Sequence, residues 1–274
     1  MQRVITAVAL LLLLAIGLTV LAPWGFPLLA LLFVAAGIFE WMKLLLLSRA
    51  VSGVIAFLAA LAIAAFALKL PEDGLAYTVV LSISALVWII LLVWLLATRS
   101  FPGVSAFRPL YLAGGIFLPG ACGIALFAAY RTGLVYMVSI LALVWVADIA
   151  AYFSGRTFGR HKLAPLISPG KTIEGAVGGA LAVVVLGTAA ACINALGDSF
   201  FAHLWQSVAW PVFAVIVLLL VALSITGDLF ESSLKRQAGV KDSSALLPGH
   251  GGILDRIDAL LPVIPIAVLV GRLL

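Results

Sequence analysis

The run LAYTVVLSISALVWIILLVWLLA, residues 75–97, holds 23 residues without a charge. A helix that crosses a lipid bilayer needs about 20 mostly apolar residues, so this run predicts a transmembrane helix. Eight further runs of the same character lie on either side of it: 4–22, 27–47, 51–69, 109–130, 133–154, 173–194, 210–229 and 259–273. The last is the shortest and contains two prolines. The sequence therefore predicts an all-α, polytopic membrane protein with about nine transmembrane helices.

The composition supports a membrane protein, with 65% hydrophobic and 10% charged residues, whereas a soluble domain carries about 25% charged residues. Helices are expected because lipid cannot hydrogen-bond a bare backbone, and no alternating pattern indicates a barrel. Residues 4–22 resemble a signal peptide, but they exceed the roughly 7–15 residues of its apolar core, which favours a retained first span.

The basic residues predict an orientation. With nine spans and a cytoplasmic N-terminus, 13 of the 16 bases lie on the cytoplasmic side, and only Lys69, Arg131 and Arg272 lie on the other. Cytoplasmic loops collect Lys and Arg in this way, so the net charge of +5 does not indicate a nucleic-acid partner. Two polar loops, roughly 154–172 and 230–258, then share the cytoplasmic face. Residues 1–130 are predicted to be a scaffold, and residues 131–274 the catalytic region.

The most polar segment of the chain is SSLKRQAGVKDSSALLPGHGGILDRID, residues 232–258. Charges beside lipid are costly, and they usually face a cavity, a partner or water at a working site. Bases next to a span often only anchor it, but acids at close spacing cancel that benefit. A mixed set suits a polyphosphate with a metal ion. The bases are Lys235, Arg236, Lys241 and Arg256, and the acids are Asp242, Asp255 and Asp258.

Asp228 lies just before this segment. If its helix continues, Glu231, Ser232 and Lys235 share its face. Asp228 then either pairs with Lys235 or a neighbouring base, or binds a hard cation, which takes oxygen ligands. Asp255 follows at the start of a second helix, so two carboxylate-bearing helices could hold Mg²⁺ between them.

The glycines of the segment predict an unusual turn. Gly251 and Gly252 allow a positive φ and a close approach of backbone to a ligand. His250, just before them, either donates to a phosphate or caps the following helix.

The second polar loop begins inside the sixth predicted span. Asp148 lies near the end of that span, where an acid faces a cavity or a partner. Ser168 opens the turn SPGKT, residues 168–172, which leads into the seventh span. Lys171 and Thr172 at a helix N-terminus favour an anion, although the P-loop spacing is absent. The glycines of this helix, Gly175, Gly178 and Gly179, predict a close helix-packing face.

Three motifs together resemble the phosphatidate cytidylyltransferase (CDP-diacylglycerol synthase) family. They are S-x2-K-R-x4-K-D-x-S-x3-P-G-H-G-G-x2-D-R-x-D (232–258), S-P-x-K-T-x-E-G (168–175) and D-x-x-A-Y (148–152). Ser244 and Gly170 stand where the family often has Gly and Lys, and Ala259 replaces a frequent Ser.

The resemblance implies the reaction of CTP with phosphatidate, giving CDP-diacylglycerol and pyrophosphate, with Mg²⁺ required and a second cation left open. It implies Asp228 and Asp255 as metal ligands, with Lys171, Lys235, Arg236, Lys241 and Arg256 around the phosphates. Candidate substrate-binding residues are Asp148, Ser168, Thr172, Asp242, His250, Gly251, Gly252 and Asp258. Bacterial members imply a homodimer in the inner membrane, with a polar cavity open to the cytoplasm.

Two alternatives remain open from the sequence. A related enzyme would act on another lipid acceptor, such as an isoprenoid phosphate or alcohol. A transporter would show related halves and broken helices near the midplane, whereas the charges here gather in two loops on one side. No Ser–His–Asp or Cys–His arrangement is evident, which favours direct in-line attack over a covalent intermediate.

Overall fold

The structure, a computed structural model, describes residues 17, 24–71, 74–247, 249 and 251–274. The predicted first span, 4–22, lies outside the described residues except for Gly17, and His250 lies outside them as well.

Seven long apolar helices form the described part of the bundle, and each matches a predicted span. They are α1 (Gly25–Leu44), α2 (Arg49–Lys69), α3 (Leu75–Thr98), α4 (Arg108–Thr132), α5 (Leu134–Phe158), α6 (Ile173–Ala191) and α8 (Trp210–Gln237). In each of α3 and α6, only 22% of the most apolar 18-residue stretch is buried inside the protein. Most of their Leu, Ile and Val side chains therefore face outward, as lipid-facing helices require. The predicted all-α, multi-pass architecture is confirmed.

Three shorter helices complete the described part, namely α7 (Phe200–Ser207), α9 (Leu254–Ile257) and α10 (Leu260–Leu273). Helix α10 corresponds to the ninth predicted span, but it has 14 residues, fewer than the roughly 17–25 of a spanning helix. Its residues 261–269 are all buried, and it packs against α3, α4, α5 and α8. Helix α10 therefore fills the centre of the bundle, and the count of nine spans stays a prediction.

The segment predicted as a loop, 154–172, contains structure that the sequence reasoning missed. Helix α5 continues to Phe158, and β1 (Lys162–Ala164) then pairs antiparallel with β2 (Ser168–Thr172). Lys162 lies opposite Thr172 in this hairpin. Two prolines in or beside such short strands remove the alternating pattern that predicts a hairpin. The hairpin leads directly into α6, and the Thr172 hydroxyl caps that helix by accepting from Gly175 N at 3.1 Å.

The predicted glycine face of α6 is confirmed. A Cβ atom on Gly179 would lie 2.7 Å from the carbonyl oxygen of Ala147, and one on Gly175 would lie 2.8 Å from that of Ala151. Any side chain at these positions would push α5 and α6 apart. The glycines therefore set the distance between the helix that carries Asp148 and the hairpin that carries Lys171.

Aromatic rings fix the last part of α8. Phe230 lies 5.3–5.8 Å, between ring centroids, from Trp41, Trp88, Phe101 and Tyr111. Aromatic pairs at such distances stabilise beyond their buried area. Through these contacts, α1, α3 and α4 fix the part of α8 that carries its charged residues.

Candidate active site

Helix α8 carries Asp228, one of the two predicted metal ligands, past its apolar part. Its 28 residues extend about 42 Å, longer than the roughly 30 Å hydrocarbon core. The helix continues past Asp228, and Ser232 Oγ donates to Asp228 Oδ1 at 3.4 Å. The prediction that Asp228, Ser232 and Lys235 share one helical face is confirmed.

A cleft of about 470 Å³ lies between α5, β2, α6 and α8. Five predicted site residues line it: Asp148, Ser168, Lys171, Thr172 and Asp228. Lys171 Nζ lies 2.7 Å from Asp228 Oδ2, with side chains 26% and 31% exposed. We call these two residues the cleft pair. The structure thus joins the second polar loop to α8, while the opening of the cleft toward the cytoplasm stays a prediction.

A second set of charges surrounds Lys235, which lies two turns further along α8 than Asp228. Lys235 Nζ lies 2.5 Å from Glu231 Oε2 and 2.5 Å from Asp255 Oδ1. We call these three residues the buried network, because the side chains of Lys235, Glu231 and Asp255 are 12%, 2% and 8% exposed.

Asp255 accepts several further hydrogen bonds. Its Oδ2 accepts from Gly252 N at 2.8 Å, Ser243 N at 3.0 Å and Ser243 Oγ at 2.9 Å. Burial by itself raises the pKa of Asp255, but the hydrogen bonds from Lys235 and Gly252 N outweigh it and hold this pKa at about 2. Asp255 is therefore ionised at neutral pH.

The charges of both the cleft pair and the buried network act on the pKa of Asp258. Burial, followed by the charge of Asp228, raises the pKa of Asp258 well above its usual range, and the charges of Lys171 and Lys235 act in the opposite direction. Gly227 permits this proximity, because a Cβ there would lie 2.9 Å from Pro262 Cδ at the start of α10.

The predicted turn at Gly251 and Gly252 is present, and the backbone at Gly252 closely approaches the Glu40 side chain of the same chain. Gly251 has φ +83°, and its carbonyl accepts from Leu247 N at 2.8 Å. A Cβ on Gly252 would lie 2.5 Å from Glu40 Oε2. Glycine is required here by the Glu40 carboxylate, and contact of the pair with substrate stays a prediction.

Glu40 is the site residue that the sequence reasoning missed. It lies on α1, within the half predicted to be scaffold, and its side chain is 0% exposed. It accepts hydrogen bonds from Ser243 Oγ, Ser244 Oγ, Ile253 N and Leu254 N. A lone carboxylate inside the apolar run 27–47 was the signal, since such a residue usually faces a cavity or a partner.

Four predicted charged residues lie at the surface of the molecule. Arg236, Lys241, Asp242 and Arg256 are exposed, and Arg236 Nη1 donates to Val240 O at 3.4 Å within its own chain segment. The buried network is formed by other residues, and a role of these four at the phosphates stays a prediction.

The donor chemistry of the site fits Mg²⁺. Within the described residues, no group of three carboxylate, histidine or cysteine side chains lies close enough together to bind a metal ion without further ligands. Mg²⁺ is usually held by one or two carboxylates together with substrate phosphates, so a complete cage is not needed. Two lysines, Lys171 and Lys235, face a larger number of acids: Asp148, Asp228, Glu231, Asp255 and Asp258. Both oxygens of Glu231 are buried without a hydrogen bond of normal geometry, and this excess of carboxylates favours a divalent cation.

The sequence pattern of the Cytidylyltransferase family matches residues 1–274. The chain belongs to this family. It is 38% identical over 274 residues to a phosphatidate cytidylyltransferase of Pseudomonas aeruginosa, an alignment that covers 97% of this chain and 94% of the relative. Phosphatidate cytidylyltransferases of Haemophilus influenzae and Brucella suis are 46% and 43% identical over 133 and 164 residues, covering 48% and 59% of this chain and 44% and 57% of the relatives. The prediction that the chain is a nucleotidyltransferase of the cytidylyltransferase family is confirmed.

Proposed function

We propose that the protein transfers CMP from CTP to phosphatidate, giving CDP-diacylglycerol and pyrophosphate for phospholipid synthesis. The relative that aligns over nearly the whole chain is a phosphatidate cytidylyltransferase, and this supports the proposal. The observation that carries the proposal is the pairing of Lys171 with Asp228 in a cleft whose other walls are largely apolar. Such a cleft offers charge to phosphates and apolar surface to a lipid.

The chemistry that suits this site is one in-line displacement. A phosphate oxygen of phosphatidate attacks the α-phosphorus of CTP, the bond from that phosphorus to the bridging oxygen of the β-phosphate breaks, and pyrophosphate leaves with the electron pair. The attacking oxygen is already anionic, so a strong general base is not needed. Positioning and charge neutralisation supply most of the catalysis in such a reaction.

The residues of the site divide this work. Lys171, which is partly exposed, is able to exchange Asp228 for a phosphate oxygen and to neutralise it. Lys235 holds Asp255 in one orientation. Asp228 and Asp255 would hold Mg²⁺ together with substrate oxygens, and the ion would neutralise developing charge on the leaving pyrophosphate.

We also propose a cellular location, an oligomeric state and an orientation for the protein. The protein lies in a bacterial inner membrane as a homodimer, with its N-terminus and both polar loops on the cytoplasmic side, where CTP is available. The distribution of Lys and Arg along the chain supports this orientation.

The test is incorporation of labelled CTP into chloroform-soluble product by the purified full-length protein. Phosphatidate with Mg²⁺ is expected to give labelled CDP-diacylglycerol, and chelation of the metal with EDTA is expected to stop the reaction. Parallel reactions contain an isoprenoid phosphate or an isoprenoid alcohol as acceptor. Labelling of an isoprenoid but not of phosphatidate would replace the proposed acceptor, and labelling of no lipid would overturn the proposal.

A further inference from the structure

The hydrogen bonds of Glu40 have a regular arrangement. Oε1 accepts from Ile253 N at 3.1 Å and from Ser244 Oγ at 2.5 Å. Oε2 accepts from Leu254 N at 2.7 Å and from Ser243 Oγ at 2.9 Å. Each carboxylate oxygen therefore receives one backbone N–H and one serine hydroxyl, from residues more than 200 positions away in the chain.

A fully buried carboxylate is stable only when its oxygens are hydrogen-bonded. The N–H groups at the start of a helix lack partners within that helix, and those of Ile253 and Leu254 begin α9. Glu40 thus satisfies donors that α9 cannot satisfy itself, and it joins α1 to the segment that carries Asp255.

Ser243 connects Glu40 to Asp255. Its Oγ lies 2.9 Å from Glu40 Oε2 and also 2.9 Å from Asp255 Oδ2. The hydroxyl has one proton, so it donates to one of the two carboxylates at a time, and it lies within hydrogen-bonding distance of both. The backbone makes the same connection, because Gly252 N donates to Asp255 while the next two N–H groups donate to Glu40.

We infer that Glu40 is a positioning residue for the transfer reaction, acting through Ser243 and the backbone of 252–254 to orient Asp255. The inference rests on the proposed function, in which Asp255 would hold the metal ion that also binds substrate oxygens. Ser244, at a position where the resembled family often has Gly, adds a donor to Glu40 in this chain.

Glutamine is the informative replacement at this position. It matches glutamate in shape, but one end of the amide is a donor. Because each oxygen of Glu40 faces a backbone N–H, either orientation of the amide places NH2 against Ile253 N or Leu254 N. Aspartate keeps both acceptors but is one methylene shorter.

The first experiment measures steady-state kinetics of Glu40→Gln and Glu40→Asp in the full-length enzyme. A displacement of about 1 Å in a positioned group costs on the order of 100-fold in rate, so we expect kcat of Glu40→Gln to fall by about that factor. KM for CTP should stay near its wild-type value, and Glu40→Asp should recover part of the rate.

Three serine variants provide the matched comparisons. Ser84 on α3 is also fully buried, but its hydroxyl has no hydrogen-bond partner among the described residues, so Ser84→Ala should keep wild-type kcat. Ser243→Ala should lower kcat more than Ser244→Ala, because only Ser243 reaches Asp255. The loss in Glu40→Gln/Ser243→Ala should be smaller than the product of the two single losses, since both act on one carboxylate.

A second experiment does not depend on turnover. Binding of Mn²⁺ in the presence of CTP is followed by electron paramagnetic resonance on the full-length protein in detergent, without lipid acceptor. Glu40→Gln is expected to weaken Mn²⁺ binding several-fold at an unchanged number of folded molecules, whereas Ser84→Ala is not.

Two results would overturn the inference. One is wild-type kcat and Mn²⁺ affinity in Glu40→Gln. The other is a loss of kcat that only follows the loss of folded protein, with unchanged Mn²⁺ affinity in the folded fraction. If the wild-type protein fails to use phosphatidate, the proposed function fails instead, and the Mn²⁺ comparison still decides the role of Glu40.

Discussion

Asp228 of the cleft pair and Lys235 of the buried network lie on the same face of α8, two helical turns apart, yet the two groups differ in their surroundings. Lys171 and Asp228 are each exposed by about a quarter to a third, whereas Glu231, Lys235 and Asp255 are nearly inaccessible. A partly exposed ion pair contributes about 0–1 kcal/mol, while removing one partner of a buried pair costs about 3–5 kcal/mol. The cleft pair can therefore exchange partners with a ligand at little cost, whereas the buried network holds Asp255 in a fixed orientation.

The largest expected effect is that of Asp255→Asn. An asparagine must turn its NH2 group either toward Lys235 or toward the N–H groups of Gly252 and Ser243, so it disrupts the buried network in both orientations. We expect turnover to fall to background and the free energy of unfolding to fall by about 3–5 kcal/mol. Labelled-CTP assays and thermal unfolding in detergent measure the two effects. Full activity at saturating Mg²⁺ would contradict the assignment of Asp255.

Asp228→Asn should separate activity from stability. The variant loses the charge that faces Lys171 and the proposed metal ligand, so turnover should again be abolished. Because the pair is partly exposed, the free energy of unfolding should change by about 1 kcal/mol or less. A stability loss as large as that of Asp255→Asn would show that the two regions do not differ as described.

Gly252→Ala tests the contact between the halves of the molecule. The added Cβ would approach Glu40 Oε2 to 2.5 Å, and overpacking of this kind costs about 1–3 kcal/mol. We expect a lower melting temperature and reduced kcat. Gly53→Ala on α2 is the control, because a Cβ there meets nothing within 4 Å. Equal behaviour of the two variants would argue against the contact.

The smallest effects are expected at the exposed bases. Arg236→Ala and Lys241→Ala should each raise KM for CTP about threefold, since an exposed charge contact contributes about 0.2–1 kcal/mol. The increase should shrink at high salt, because salt screens exposed charges, and kcat should stay near wild type. Lys69→Ala, at the far end of α2, is the matched control. An equal rise in KM for that control would remove the case for phosphate contacts at Arg236 and Lys241.

Much of the site could be predicted because its signals are local. The spacing of Asp228, Ser232 and Lys235 requires only that a helix continue, and the glycines of α6 indicate close packing whatever their partner. Glu40 was missed because a single acid in an apolar run identifies no partner. The β1–β2 hairpin was missed because prolines hide its pattern, although it places Lys171 in the cleft.

The apolar runs by themselves determined a bundle of membrane helices, because lipid leaves the backbone no hydrogen-bonding partner except itself. The motifs determined which residues carry charge and which family the chain resembles. Only the tertiary structure decided that Asp228 meets Lys171 rather than Lys235, that Lys235 meets Asp255, and that Glu40 holds the segment between them. These pairings join residues that are not neighbours in the chain, so they depend on how closely the helices pack at Gly179 and Gly227, and the turn at Gly252, rather than on any local pattern.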